Sequence, residues 1–117
     1  MTNLEVHEDA IPAVQSVQHL DELFELPVVV LLKHSLTCPI SAVAYTEVAA
    51  FFADRPKIPA YVIPVQTHRK AAEIIEKRTG VRHESPQLLL IREREAVAVA
   101  SHFAITGKLL SDLFPSD

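Results

Sequence analysis

An unbroken apolar run, Val28-Val29-Val30-Leu31-Leu32, reaches Lys33 only a few residues before Cys38-Pro39, and these two features together restrict the fold more than anything else in the chain. A β-branched and leucine run without alternation is what a strand needs when both faces of its sheet are covered. From Pro39 the apolar positions Ile40, Val43, Ala44, Val48, Phe51 and Phe52 recur every three or four residues until Pro56, which predicts a helix. The chain's only cysteine therefore stands where a central strand gives way to a helix.

Other segments complete an alternating pattern. Val17, Leu20, Leu23 and Phe24 have helical spacing and predict a short amphipathic helix through residues 20–26. Residues 60–65 read as a strand, and Pro64, which has no amide proton for a central ladder, assigns it to an edge. Residues 69–78 predict a helix that Gly80 ends in a left-handed conformation. Residues 87–92 and 96–101 predict an antiparallel hairpin about Glu93-Arg94-Glu95, without the usual Asn-Gly turn signal. Leu109, Leu110, Leu113 and Phe114 give a closing helix over residues 105–114. Residues 1–14 are left unassigned, Pro12 arguing against a long helix there.

The order is helix, strand, helix, strand, helix, strand, strand, helix, which mixes parallel crossovers with a hairpin. It predicts the α/β class and a thioredoxin-like, glutaredoxin-type domain: a mixed four-stranded sheet flanked by helices, with an extra N-terminal helix. A chain of 117 residues leaves room for one such domain, residues 1–117.

Composition narrows the function classes. The net charge is −4 and the basic residues are scattered among acidic ones, so nucleic acid is not an expected partner. No apolar burst approaches the ~20 residues of a membrane span, and the start lacks a basic region followed by an apolar one. A single cysteine cannot form an internal disulfide, which points to a reducing cytoplasm. With only Gly80 and Gly107 there is no phosphate-binding loop, and the glutamates read as solvated helix faces, not paired catalytic carboxylates.

A free cysteine is often a small core residue. Placed at a helix mouth, Cys38 instead faces unpaired N–H groups and the positive end of the helix dipole, both of which favour the thiolate. Pro39 suits the first helical turn. Ser41 is placed to offer its hydroxyl to the sulfur, and Thr37 to shape the approach. A second candidate feature is Ser85-Pro86 before the apolar strand: a cis proline there would present a main-chain edge able to pair with an extended substrate. Cys38 and His34 alone are a poor metal set, and no metal is expected.

Lys33-His34-Ser35-Leu36-Thr37-Cys38-Pro39-Ile40-Ser41, His83-Glu84-Ser85-Pro86-Gln87 and Ala100-Ser101-His102-Phe103, in that order, resemble the monothiol bacilliredoxins, the YtxJ-like proteins of bacillithiol systems. The likeness runs from about Leu20 to the end. It departs from the family at Leu36, at Phe103 where tryptophan is common, and at the hairpin turn. The resemblance implies that Cys38 is the attacking thiolate, Pro86 the cis proline of a substrate groove, and Ser41 the occupant of a resolving cysteine's position. It further implies removal of bacillithiol from protein mixed disulfides. Bacillithiol would be a co-substrate with no tightly bound cofactor, and the partners would be bacillithiolated client proteins and a low-molecular-weight thiol.

With no second thiol, Cys38 cannot close an intramolecular disulfide, so a second small thiol must regenerate it. Lys33 and His34 are placed before the loop, where they could meet carboxylates of an acidic thiol, and His83 and His102 on neighbouring loops. All three histidines read better as surface or structural residues than as catalytic bases. Peroxide reduction and a cluster shared between two chains fit less well. The alternative from another class is a non-enzymatic adaptor or redox sensor that binds partners at the Pro86 edge.

Overall fold

The apolar run becomes strand β1, Val28–His34, at the interior of a four-stranded sheet. The structure, a computed structural model, describes residues 11–115; the first ten residues of the unassigned start lie outside them. Helix α1, Val17–Phe24, precedes β1; helix α2, Pro39–Ala53, follows it. Then come β2, Ala60–Pro64, α3, Arg69–Thr79, the hairpin β3, Gln87–Arg92, and β4, Glu95–Ser101, and α4, Gly107–Leu113, after a short 3₁₀ turn over His102–Ala104. The strand order is β2-β1-β3-β4, with β1 parallel to β2, β3 antiparallel to β1 and β4 antiparallel to β3.

The lack of alternation in β1 has the expected cause. Val30 and Leu32 join Leu88 and Leu90 in a core with Ala44, Val48 and Phe52 of α2 and Leu110 of α4. Val29 and Leu31 point the other way, with Leu89 and Ile91, into a core closed by Leu20, Leu23 and Phe24 of α1 and Ala71 and Ile75 of α3. Val29, Val30, Leu31 and Leu32 are therefore all buried, whichever face they point to.

Gly80 ends α3 at φ 73°, in the left-handed region that suits glycine. The hairpin turn reaches the same region without glycine: Glu93 and Arg94 both have positive φ, at 52° and 70°. Such a two-residue loop matches the right-handed strand twist, and β4 consequently begins at Glu95, paired with Arg92, one residue earlier than the sequence pattern indicates. Arg94 also forms an ion pair with Glu25.

Part of the unassigned start has a structural role. Residues 11–14 run beside β2: Val62 N–H donates to the Pro12 carbonyl at 2.9 Å and Val14 N–H to the Val62 carbonyl at 3.0 Å. Ile11 enters the α2-side core and Val14 the α1-side core. Pro64 is on the edge strand of the four, as its missing donor requires. Alternation from Val62 aims that missing donor outward, away from β1.

Candidate active site

β1 carries the chain to the mouth of α2, and Cys38 is the residue that caps that helix, with extended backbone angles of φ −103° and ψ 121°. Its side chain makes no capping bond to the first turn, and Pro39 occupies the first position. Cys38 is partly exposed. The thiol is held below its ordinary pKa, first by the Ser41 backbone N–H, with smaller help from the Ile40 N–H and the Ser41 hydroxyl, against an opposing effect of partial burial.

Ser41 is fully buried, and its Oγ accepts the Ser35 N–H at 3.1 Å, so one hydroxyl links the loop to the sulfur. Thr37 is exposed and its Oγ1 accepts from Gln66 Nε2 at 3.3 Å. Gln66 also donates to Ser35 Oγ at 2.9 Å and accepts the Leu36 N–H at 3.0 Å. This single side chain, on the loop after β2, shapes the cysteine loop. Sequence reading missed it because only the parallel pairing of β1 and β2 brings their C-terminal ends together.

The Ser85–Pro86 peptide is cis. The antiparallel register of Lys33 with Gln87 sets Pro86 at the same end of the sheet as the Cys38 loop. Pro86 is buried and its carbonyl accepts the His102 N–H at 3.0 Å, so its own acceptor is already engaged. Ser85 makes no backbone–backbone bond to another described residue, and its buried Oγ has no partner among them. The main-chain edge therefore lies at Ser85 more than at Pro86.

The basic residues near the loop differ from the sequence picture. Lys33 does not face solvent: it is 0% exposed, on the α1 and α3 side of the sheet, with Nζ 3.1 Å from His83 Nδ1. It is thus removed from the role of meeting a cofactor's carboxylates. Burial lowers its pKa, with Glu76 opposing. His34 packs on the Tyr45 ring at 5.2 Å, and burial lowers its pKa while the Ser41 backbone pulls the other way. His102 lies at φ 55° with Nδ1 3.8 Å from Glu84 Oε1. Among the described residues no cluster of three His, Cys, Asp or Glu side chains could hold a metal, and no helix is long and apolar enough to cross a membrane.

A lone thiol at the mouth of the helix after β1, at the same end of the sheet as the cis proline that precedes β3, on a sheet ordered β2-β1-β3-β4, defines a thiol oxidoreductase of the thioredoxin fold. The chain belongs to the monothiol bacilliredoxin BrxC family, whose model matches residues 10–110. It is similar to a solved chain described as an inferred oxidoreductase with a thioredoxin fold, at 33% identity and TM-score 0.83, covering 91% of this chain and 95% of that one. A mutant thioredoxin from Halobacterium salinarum NRC-1 shares 22% identity at TM-score 0.69, covering 89% and 88%. Fasciola hepatica thioredoxin shares 14% at TM-score 0.70, covering 88% and 95%. These last two establish the fold alone.

Proposed function

We propose that the protein is a monothiol disulfide reductase that removes bacillithiol from client proteins through Cys38. The Cys38 thiolate attacks the bacillithiol sulfur of a client mixed disulfide. The client–bacillithiol S–S bond breaks, the client leaves as a thiolate, and Cys38 becomes disulfide-linked to bacillithiol. A second bacillithiol thiolate then attacks that sulfur, restoring Cys38 and releasing bacillithiol disulfide, so each turnover consumes one free bacillithiol and releases one client thiol.

One observation carries this reading. The Cys38 sulfur draws on the N–H groups of Ile40 and Ser41 and the buried Ser41 hydroxyl, while serine stands three residues after it, where a second cysteine would otherwise intercept the adduct. The partly open groove edge at Ser85 suits an extended client segment, added by main-chain hydrogen bonds.

The test is intact mass of the reduced protein after exposure to a bacillithiol mixed disulfide, beside glutathione and coenzyme A counterparts. Rapid bacillithiol addition at Cys38, reversed by excess bacillithiol, is expected. Equal reaction with all three would remove bacillithiol specificity. No adduct with any would leave the adaptor reading.

A further inference from the structure

Lys33 is a buried cation whose partners lie on the segment that leads into the groove. It shares its face of the sheet with Val29 and Leu31, and none of it reaches solvent. Burying an ammonium is costly unless its protons find acceptors. Nζ lies 3.1 Å from His83 Nδ1. An ammonium only donates, so Nδ1 must offer its lone pair, and the imidazole is neutral with its proton on Nε2.

Residues 81–85 are fastened at several points: Val81 N–H donates to Thr79 Oγ1 at 3.1 Å, and Glu84 Oε1 lies 3.8 Å from His102 Nδ1. Gln87 Nε2 donates to the Arg82 carbonyl at 3.0 Å. His83 is held twice, its backbone N–H donating to Glu76 Oε2 at 3.1 Å and its ring accepting from Lys33. Of the two bonds that His83 makes, only the ring contact depends on its own protonation. We propose that Lys33 is a positioning residue: through His83 it holds residues 81–85, and with them the Ser85 edge, in the geometry that receives the mixed disulfide, and protonation of His83 releases them. The proposal rests on the reductase reading above.

A protonated ring would turn an N–H at Nδ1 toward the ammonium, setting donor against donor and charge against charge. The ammonium has somewhere else to turn. Gln87 stands opposite Lys33 in the antiparallel ladder, and its Oε1 is buried with no partner among the described residues. The segment thus has two arrangements, one with Lys33 on His83 and one with Lys33 on Gln87.

His83 is exposed enough to exchange protons with solvent. Facing it are Lys33 of β1 and, around a surface cavity of about 340 Å³, Arg69, Glu73 and Glu76 of α3. Glu84 is beside it in the chain and meets His102 from the turn after β4. Partial burial and then the Lys33 charge hold His83 below the ordinary histidine value, against Glu76 and Glu84. Above that lowered midpoint the ring is neutral and the contact forms; as pH falls through it the contact is lost.

The experiment pairs NMR of the full chain with steady-state kinetics on a bacillithiol mixed disulfide, for wild type, Lys33→Met and His83→Asn. Asparagine presents an acceptor near the Nδ1 position but does not titrate. In wild type, the amides of residues 82–85 are expected to shift with the His83 midpoint, and KM to rise roughly fivefold to tenfold as pH falls through it, with kcat changing little. Lys33→Met should raise the His83 midpoint, uncouple those amides from it, and leave KM high and flat with pH. His83→Asn should keep KM low and flat. An unmoved His83 midpoint in Lys33→Met, or an unchanged KM, would overturn the positioning role even with normal turnover. Absent turnover by wild type, with the amides still following His83 only when Lys33 is present, would instead overturn the reductase reading and support the contact.

Discussion

Two helix mouths in this molecule handle the same problem in opposite ways. At α4 the free N–H groups are met by oxygen: Thr106 Oγ1 accepts from Leu109 N–H at 3.1 Å and Glu47 Oε1 from Gly107 N–H at 2.6 Å. At α2 no side-chain oxygen caps the first turn and no acid sits in it; the N–H groups of Ile40 and Ser41 are directed to the Cys38 sulfur. A closed helix mouth contributes stability, whereas one left open to a sulfur contributes a poised anion. The stabilising caps sit away from the chemistry, and the reactive end forgoes one.

Replacing the sulfur is the most drastic way to break this contrast. Cys38→Ser should fold as wild type and abolish both adduct formation and turnover; residual turnover would remove Cys38 from the mechanism. Next in size is Ser41→Ala, which deletes the hydroxyl at the sulfur and leaves the Ser35 N–H without its acceptor. The Cys38 midpoint should rise, and alkylation by iodoacetamide near neutral pH should slow by roughly threefold to tenfold. A faster reaction would contradict the donor role.

Titration sharpens the same point. The folded thiol ionises below its usual value, so iodoacetamide reactivity should persist as pH falls below that value and drop only through the lowered midpoint. The sign for stability is the same: an acid whose folded pKa is depressed stabilises the fold above its unfolded value, and loses that contribution as pH falls through the folded one. Cys38→Ser should therefore remove a component of the pH dependence of unfolding on the alkaline side. The smallest expected effect is at the closed mouth: Thr106→Ala should cost about 0.5–2 kcal/mol in denaturant unfolding with no change in thiol reactivity. A shift in reactivity would mean that the two mouths are not independent.

How much of this was legible in the sequence follows the range of each interaction. The β1 run, the α2 period and the Gly80 stop are local signals, and all appear where the pattern puts them. The Glu93-Arg94 turn carries no glycine or asparagine signal; strand pairing on either side imposes positive φ on residues that do not seek it. Residues 11–14 gain their place only from β2, some fifty residues on, and are too short to announce a strand. At the site, Cys38, Pro39 and Ser41 are neighbours along one helical turn and could be read together. Lys33 could not. A lysine closing an apolar run reads as the strand's exit to water, and its actual partner, His83, is fifty residues away.

The added segment at residues 11–14 has a consequence for self-association. A sheet edge with free N–H and C=O groups invites another chain to extend it, and here the β2 edge is occupied by the protein's own backbone. The opposite edge, β4, is guarded differently: its register slips between Leu90 and Ile91, leaving Val97 as the odd residue out of the ladder. An irregular border gives an incoming strand no continuous row to zip against. Both borders of the sheet are thereby kept from serving as a template that another chain could extend.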